Sequence, residues 1–306
     1  MTSADDRPGG ADHAAGQPGG DSRWIDLDGP VHYRDFGGPE RGPLIVCVHG
    51  LGGSAVNWSA IAPLLTGRYR LLAPDLAGHG LTQSLGRGTD VAANRALLHR
   101  FIRSATARRV NPASPVILMG NSMGGMISIL EASAAPSAVA GLILVDPALP
   151  FMAVAARPDP LVAGLFALYA TPGLGRVMMG RRRGQSPETL VTRILSLCCA
   201  DVSRIPADVV TQHVDVARQR AAFADTGRDF TAAMRSVMAT AGYPRGQAYR
   251  QQIRSISCPV LLLHGVGHVP QLEAPRDTAR VITEWLGSAG RSAAQSATPG
   301  GPPAAR

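Results

Sequence analysis

The residues best placed to do chemistry are Gly120-Asn121-Ser122-Met123-Gly124-Gly125. A serine between glycines, at the point where an apolar run (Pro115 to Met119) gives way to a small-residue helix, has the form of a nucleophile elbow. The turn is crowded, so a β-carbon at Gly120 or Gly124 would obstruct it, and its strain lifts the serine oxygen clear of the sheet. The chemistry is acyl transfer, which needs a nucleophile, a base, a group that orients the base, and donors for the oxyanion. Ser122 is the nucleophile. The Met123 N–H at the start of the following helix is one donor. The second comes from His49-Gly50-Leu51-Gly52-Gly53-Ser54, where Leu51 is placed to supply its N–H. Each such donor is worth about 3 kcal/mol in the transition state.

These groups must be carried by a scaffold, and the chain spells one out. Trp24 to Leu27 and Val31 to Phe36, split by Asp28-Gly29-Pro30, read as a hairpin. Leu44 to Val48 is continuously apolar, the pattern of a strand buried on both faces. A helix around Trp58 to Leu65, a strand at Tyr69 to Ala73, a helix at Val91 to Arg109, the elbow unit and a strand at Val139 to Val145 follow. This alternation predicts an α/β fold: a mostly parallel sheet with helices on both sides. The pattern stops at Asp146-Pro147. Residues 148–255 are helical in character, and an insertion of that size predicts a lid. Pro259 to Leu263 resumes the strand pattern, and Leu272 to Leu286 reads as a last helix. The expected division is a tail at 1–22, core at 23–147 and 256–287, helical lid at 148–255, and a second tail at 288–306. Both tails have disordered composition, and the first lacks the apolar stretch of a signal peptide.

Composition narrows the class. The 306 residues carry a formal charge of +8, and all 30 basic residues are arginine. They are scattered, with Arg181-Arg182-Arg183 the densest run, which argues against a nucleic-acid partner. No stretch is apolar for long enough to span a membrane. The four cysteines do not form a disulfide framework at this length: Cys47 and Cys258 sit in or beside strand patterns, and Cys198-Cys199 lack metal-ligand spacing. A cytoplasmic setting is expected.

His49-Gly50-Leu51-Gly52-Gly53, Asp75-Leu76-Ala77-Gly78-His79-Gly80, the elbow, Leu144-Val145-Asp146-Pro147 and Gly267-His268-Val269-Pro270 together resemble the α/β-hydrolase superfamily, in its lidded esterase-like branch. The resemblance covers most of residues 24 to 287. It implies hydrolysis through an acyl-serine without metal or organic cofactor, with His268 as the base and Leu51 and Met123 as the oxyanion hole. Asp75 and His79 match a structural turn, and Glu273 a helix-start residue.

The chain departs from this family at His264-Gly265-Val266-Gly267-His268. Members normally leave the preceding strand at a turn bearing the catalytic acid, cross over through a helix and a further strand, and only then present Gly-His. Here that crossover is absent, and the usual acid with it. Such a crossover starts and ends on neighbouring strands, about 4.8 Å apart, so its removal joins points that were already close. Asp146 is the best replacement for the acid; the other reading is that it caps the entry to the lid. Val260 to Leu263 becomes an apolar edge strand, which invites self-association.

The leading expectation is a serine hydrolase of small or medium apolar esters. Met152, Met178, Met179, Phe166 and Tyr169 are offered as pocket residues, or as ordinary lid packing. A hydrolase-fold protein that only binds its ligand is the alternative from another class. Asn121 also gives a likeness to carbon–carbon hydrolases of aromatic-ring degradation, although Val269 stands where those carry an aromatic residue. Dehalogenase and epoxide hydrolase readings fail because their nucleophile is an aspartate.

Overall fold

The computed structural model describes residues 19–111, 114–150, 184–242 and 244–296, together with 164, 171, 177 and 180. Strand β1 (Asp21–Asp26) and β2 (Pro30–Gly37) form the expected hairpin. β3 (Leu44–Val48) is buried along its whole length, as its unbroken apolar run requires. A 3-10 turn (Ala55–Trp58) and the short helix α1 (Ala62–Leu65) stand where one helix was expected. They lead to β4 (Arg70–Pro74). Helix α2 (Val91–Ala107) starts at Asp90, whose carboxylate accepts from the Ala93 N–H and satisfies a first-turn donor. β5 (Val116–Asn121), α3 (Met123–Ala134) and β6 (Val139–Val145) complete the first part of the core.

Beyond β6, the described part of the intervening segment is α4 (Pro187–Cys198), α5 (Ala207–Arg220), α6 (Thr226–Ala241) and α7 (Arg245–Arg254). The chain then enters β7 (Val260–Leu263) and closes with α8 (Pro270–Glu273) and α9 (Pro275–Ser296). Two findings correct the expected C-terminal end. Pro275 splits the single helix expected at Leu272 to Leu286, because proline lacks the N–H a continuing helix would use. The helix also continues to Ser296, past the boundary expected at 288. Met152, Phe166, Tyr169, Met178 and Met179 lie outside the described residues.

The sheet has seven strands in the order β1-β2-β4-β3-β5-β6-β7. β1, β2 and β4 pair antiparallel, and β4, β3, β5, β6 and β7 run parallel. One face is covered by α2 and α3, through Leu97, Leu98, Phe101, Met126 and Ile127. The other is covered by Trp58, Ile61 and Leu65 at one end and by Ala279 and Ile282 of α9 at the other. β7 is the sheet edge, as the shortened C-terminal end predicts. Its Leu261 and Leu263 pack into the α9 side, whereas Val260 and Leu262 are 43% and 48% exposed.

Candidate functional site

The parallel strands end together. At that edge Asn121 closes β5, Ser122 makes the turn, and Met123 begins α3. Ser122 has φ +54 and ψ −117, a conformation that a non-glycine residue adopts only under constraint. The constraint is steric. A Cβ at Gly120 would lie 2.5 Å from the Gly124 carbonyl oxygen, and one at Gly124 would collide with the Val48 and His49 carbonyls. The Ser122 N–H donates to the Val145 carbonyl at 3.1 Å, and the Ser122 carbonyl accepts from Met126 and Ala148. The main chain of the turn is therefore held on three sides, and no described residue engages its hydroxyl.

The glycine turn after β3 lies against this serine. A Cβ at Gly50 would approach the Ser122 Cβ to 3.1 Å and the Asn121 Oδ1 to 3.2 Å, so any larger residue would have to push the two loops a few tenths of an ångström apart. His49 is fully buried; its Nδ1 donates to the Gly50 carbonyl at 2.8 Å and its Nε2 accepts from the Leu76 N–H at 3.1 Å. These two bonds fix the tautomer and tie the turn to the chain beyond β4. The Gly53 N–H closes back on the Gly50 carbonyl, and neither the Leu51 nor the Met123 N–H is engaged by another described residue. The Phe230 ring of α6 lies over Gly52, where an added Cβ would touch it at 3.0 Å.

His268 lies on the turn between β7 and α8. Its main chain is anchored at both ends: the N–H donates to the Cys198 carbonyl at 2.6 Å, and its carbonyl accepts from the Asn121 Nδ2 at 3.0 Å. The same Asn121 amide donates to the Val145 carbonyl at 3.0 Å. Next in sequence, Val269 is buried among Val191, Leu195, Val209 and Val214 of α4 and α5. His268 itself is exposed, although neighbouring protein partly desolvates its ring. Burial lowers its pKa; the Asp146 charge opposes that shift and the nearby His264 adds to it. That direction favours the neutral imidazole, the form a general base requires. Among the described residues, no hydrogen bond joins the Ser122 hydroxyl to the His268 ring. Such contacts often tighten only when substrate is bound.

Asp146 follows β6 with φ +41, its N–H donating to the Leu263 carbonyl at 2.9 Å. Its Oδ1 accepts from His264 Nδ1 at 2.6 Å, while Oδ2 is buried and has no hydrogen-bond partner among the described residues. The sequence placed Asp146 here but gave no sign of His264, which the missing crossover brings to the same edge.

Three other motif residues have structural work. Asp75 is buried and accepts from His32 Nδ1 at 2.6 Å and from the Ala55 and Leu81 N–H groups, each at 2.7 Å. Burial alone would raise its pKa, but the His32 bond and the surrounding donors bring it below the usual aspartate value. His79 is buried, and desolvation, helped by His49 and Arg220, pushes it down to about 3. Glu273, expected as a helix-start group, lies in the first turn of the four-residue α8 and also ends it, and its carboxylate accepts from the Ala200 and Asp201 N–H groups at 3.1 and 2.7 Å. It ties the chain after α4 to the His268 turn.

A parallel sheet covered on both faces, a strained serine between glycines and a glycine turn against it define an α/β hydrolase. The chain belongs to the alpha/beta hydrolase family, whose sequence model matches residues 45–281. Among curated proteins it is 33% identical to the magnesium-chelatase 30 kDa subunit of Rhodobacter capsulatus, over 48% of this chain and 50% of that one. It is 24% identical to human monoacylglycerol lipase ABHD6, over 84% of this chain and 81% of that one. The chain spans half or less of the length of the curated relatives it matches most strongly. Among solved structures, the haloalkane dehalogenase DbeA of Bradyrhizobium elkani superposes with a TM-score of 0.61 at 18% identity, covering 89% of this chain and 99% of that one. This likeness concerns the fold. No described helix is long and apolar enough to cross a membrane.

Proposed function

We propose that this protein is a serine hydrolase that cleaves small or medium apolar carboxylic esters through an acyl-serine intermediate. Ser122 attacks the ester carbonyl as His268 takes the hydroxyl proton. The Leu51 and Met123 N–H groups hold the oxyanion. The imidazolium then protonates the departing alkoxide, and a water activated by the same imidazole releases the acid. Asp146 stabilises the imidazolium. The segment 148–255 acts as a lid, with Phe230 already over the oxyanion turn. No metal or organic cofactor is required by this scheme, and a cytoplasmic setting suits the four free thiols.

The observation that carries this reading is Ser122 at φ +54 with Gly50 packed against it and the two nearby N–H groups unengaged. A lipase among the broadly matching relatives favours an ester over other acyl substrates. The open Ser122–His268 pair favours one second reading, a hydrolase-fold protein that binds its ligand without turnover. A carbon–carbon hydrolase is less well supported, because the Asn121 amide is committed to two main-chain carbonyls. A fluorophosphonate probe decides between enzyme and binder. The folded protein should be labelled at Ser122, and Ser122→Ala should abolish labelling and cut hydrolysis of a short-chain aryl ester by at least about 10³-fold with an unchanged melting temperature. Absence of label on folded wild-type protein would favour the binding role.

A further inference from the structure

The short turn that replaces the crossover brings an imidazole to the acid. His264 follows β7 directly, and its Nδ1 lies 2.6 Å from Asp146 Oδ1. The His264 side chain is 58% exposed, whereas that of Asp146 is only 16% exposed. A carboxylate can only accept, so His264 Nδ1 carries the proton and donates. The other oxygen, Oδ2, is buried and has no partner among the described residues. A buried carboxylate oxygen without a donor is unusual and costly. It is the condition expected of an acceptor whose donor arrives at another stage of the reaction.

Two further observations bear on which donor that is. The Asn121 amide donates both to the His268 carbonyl and to the carbonyl of Val145, the residue before Asp146, and His264 is bonded to Asp146, so the three groups share one neighbourhood. Asp146 is also fixed at the main chain, by its left-handed backbone and its N–H bond to the Leu263 carbonyl, leaving the carboxylate rotamer as the remaining freedom. The two carboxylate oxygens are separate acceptors, so a bond to Oδ1 does not consume Oδ2.

We infer that His264 is a positioning residue: it grips Asp146 by Oδ1 and so keeps Oδ2 aimed for an N–H of His268. The inference rests on the proposed role of Asp146 as the acid. No proton leaves His264 in this scheme. Ser122 gives its proton to one nitrogen of His268, and the N–H on the other nitrogen is stabilised by Asp146.

The test compares His264→Ala, His264→Asn and His264→Gln, measuring kcat and KM on a short-chain aryl ester alongside fluorophosphonate labelling and melting temperature. Asparagine places an amide N–H close to where histidine places Nδ1, and glutamine carries it one carbon further out. His264→Ala should lower kcat about tenfold, far short of the ~10⁴-fold that follows loss of an orienting acid, with KM nearly unchanged. His264→Asn should recover most of the loss and His264→Gln should not. Equal kcat in wild type and His264→Ala, a rise in kcat, or equal behaviour of the Asn and Gln variants would each overturn the inference. If Ser122 is labelled in all variants and only the rates fail to move, this inference alone falls. If wild-type protein is not labelled at all, the proposed hydrolase falls and takes this inference with it.

Discussion

β5 and β7 flank the same strand, β6, run parallel to it, and end at the same edge of the sheet, yet they place their residues by different means. β5 is closed in by β3 and β6, and five of its six residues are buried. The serine beyond it is set by backbone meeting backbone: Gly120 against Gly124, and Gly124 against the carbonyls of Val48 and His49. β7 has one strand neighbour and one covered face. The histidine beyond it is held by bonds from distant parts of the chain. These are the Asn121 amide, the Cys198 carbonyl and, through Ala200 and Asp201, the Glu273 carboxylate. The proposed nucleophile is thus fixed by exclusion of alternatives, and the proposed base by a few replaceable contacts.

If that contrast holds, the largest effect should come from the glycine side. Gly124→Ala introduces a β-carbon against the Val48 and His49 carbonyls, which belong to a fully buried strand end and have no room to retreat. Relief requires the elbow, or β3, to move. The expected cost exceeds about 3 kcal/mol, at the upper end of overpacking substitutions. Urea unfolding of the soluble fraction checks this, and a loss below about 1 kcal/mol would mean that the elbow is softer than its contacts imply.

The same contrast explains what could be read from the chain without its structure. Leu44 to Val48, Val139 to Val145 and the Gly-Asn-Ser-Met-Gly-Gly turn carry their structural reasons within a few residues. Unbroken apolarity selects a buried strand, and glycine spacing selects a tight turn. Asn121 and His268 lie 147 positions apart in the sequence, and the Glu273 bonds span 72 and 73. Such pairings leave no local mark. His264 was hidden for another reason. It looks like the polar end of a strand, and it gains meaning only because the shortened turn leaves it beside Asp146.

Asn121 crosses between the two regions, so its loss should separate placement of the base from stability of the fold. Asn121→Leu removes both donors of the amide and leaves the Val145 and His268 carbonyls with one partner fewer each. Two lost hydrogen bonds at a buried position should cost about 2 kcal/mol of stability. The His268 turn would keep its Cys198 bond but lose its tie to the elbow. We expect kcat on an aryl ester to fall about 30-fold, with fluorophosphonate labelling slowed and not abolished, because the serine retains its backbone cage. An equal and total loss of labelling in Asn121→Leu and Ser122→Ala would show that the two regions are not separable.

The smallest effect is expected at the open face of β7. Leu262 is 48% exposed and Val260 43%, both on the side that α9 does not cover, and the strand's outer hydrogen-bonding edge has no strand partner among the described residues. Leu262→Lys removes little packing, so its effect on stability should lie within about 0.5 kcal/mol, as for surface substitutions generally. Charge on an edge opposes strand pairing between molecules. If the edge self-associates, the substitution should shift the sedimentation profile toward the monomer while ester hydrolysis stays the same. A stability loss above about 2 kcal/mol would instead mean that Leu262 is a core position, and that the two sides of β6 are less different than their exposure indicates.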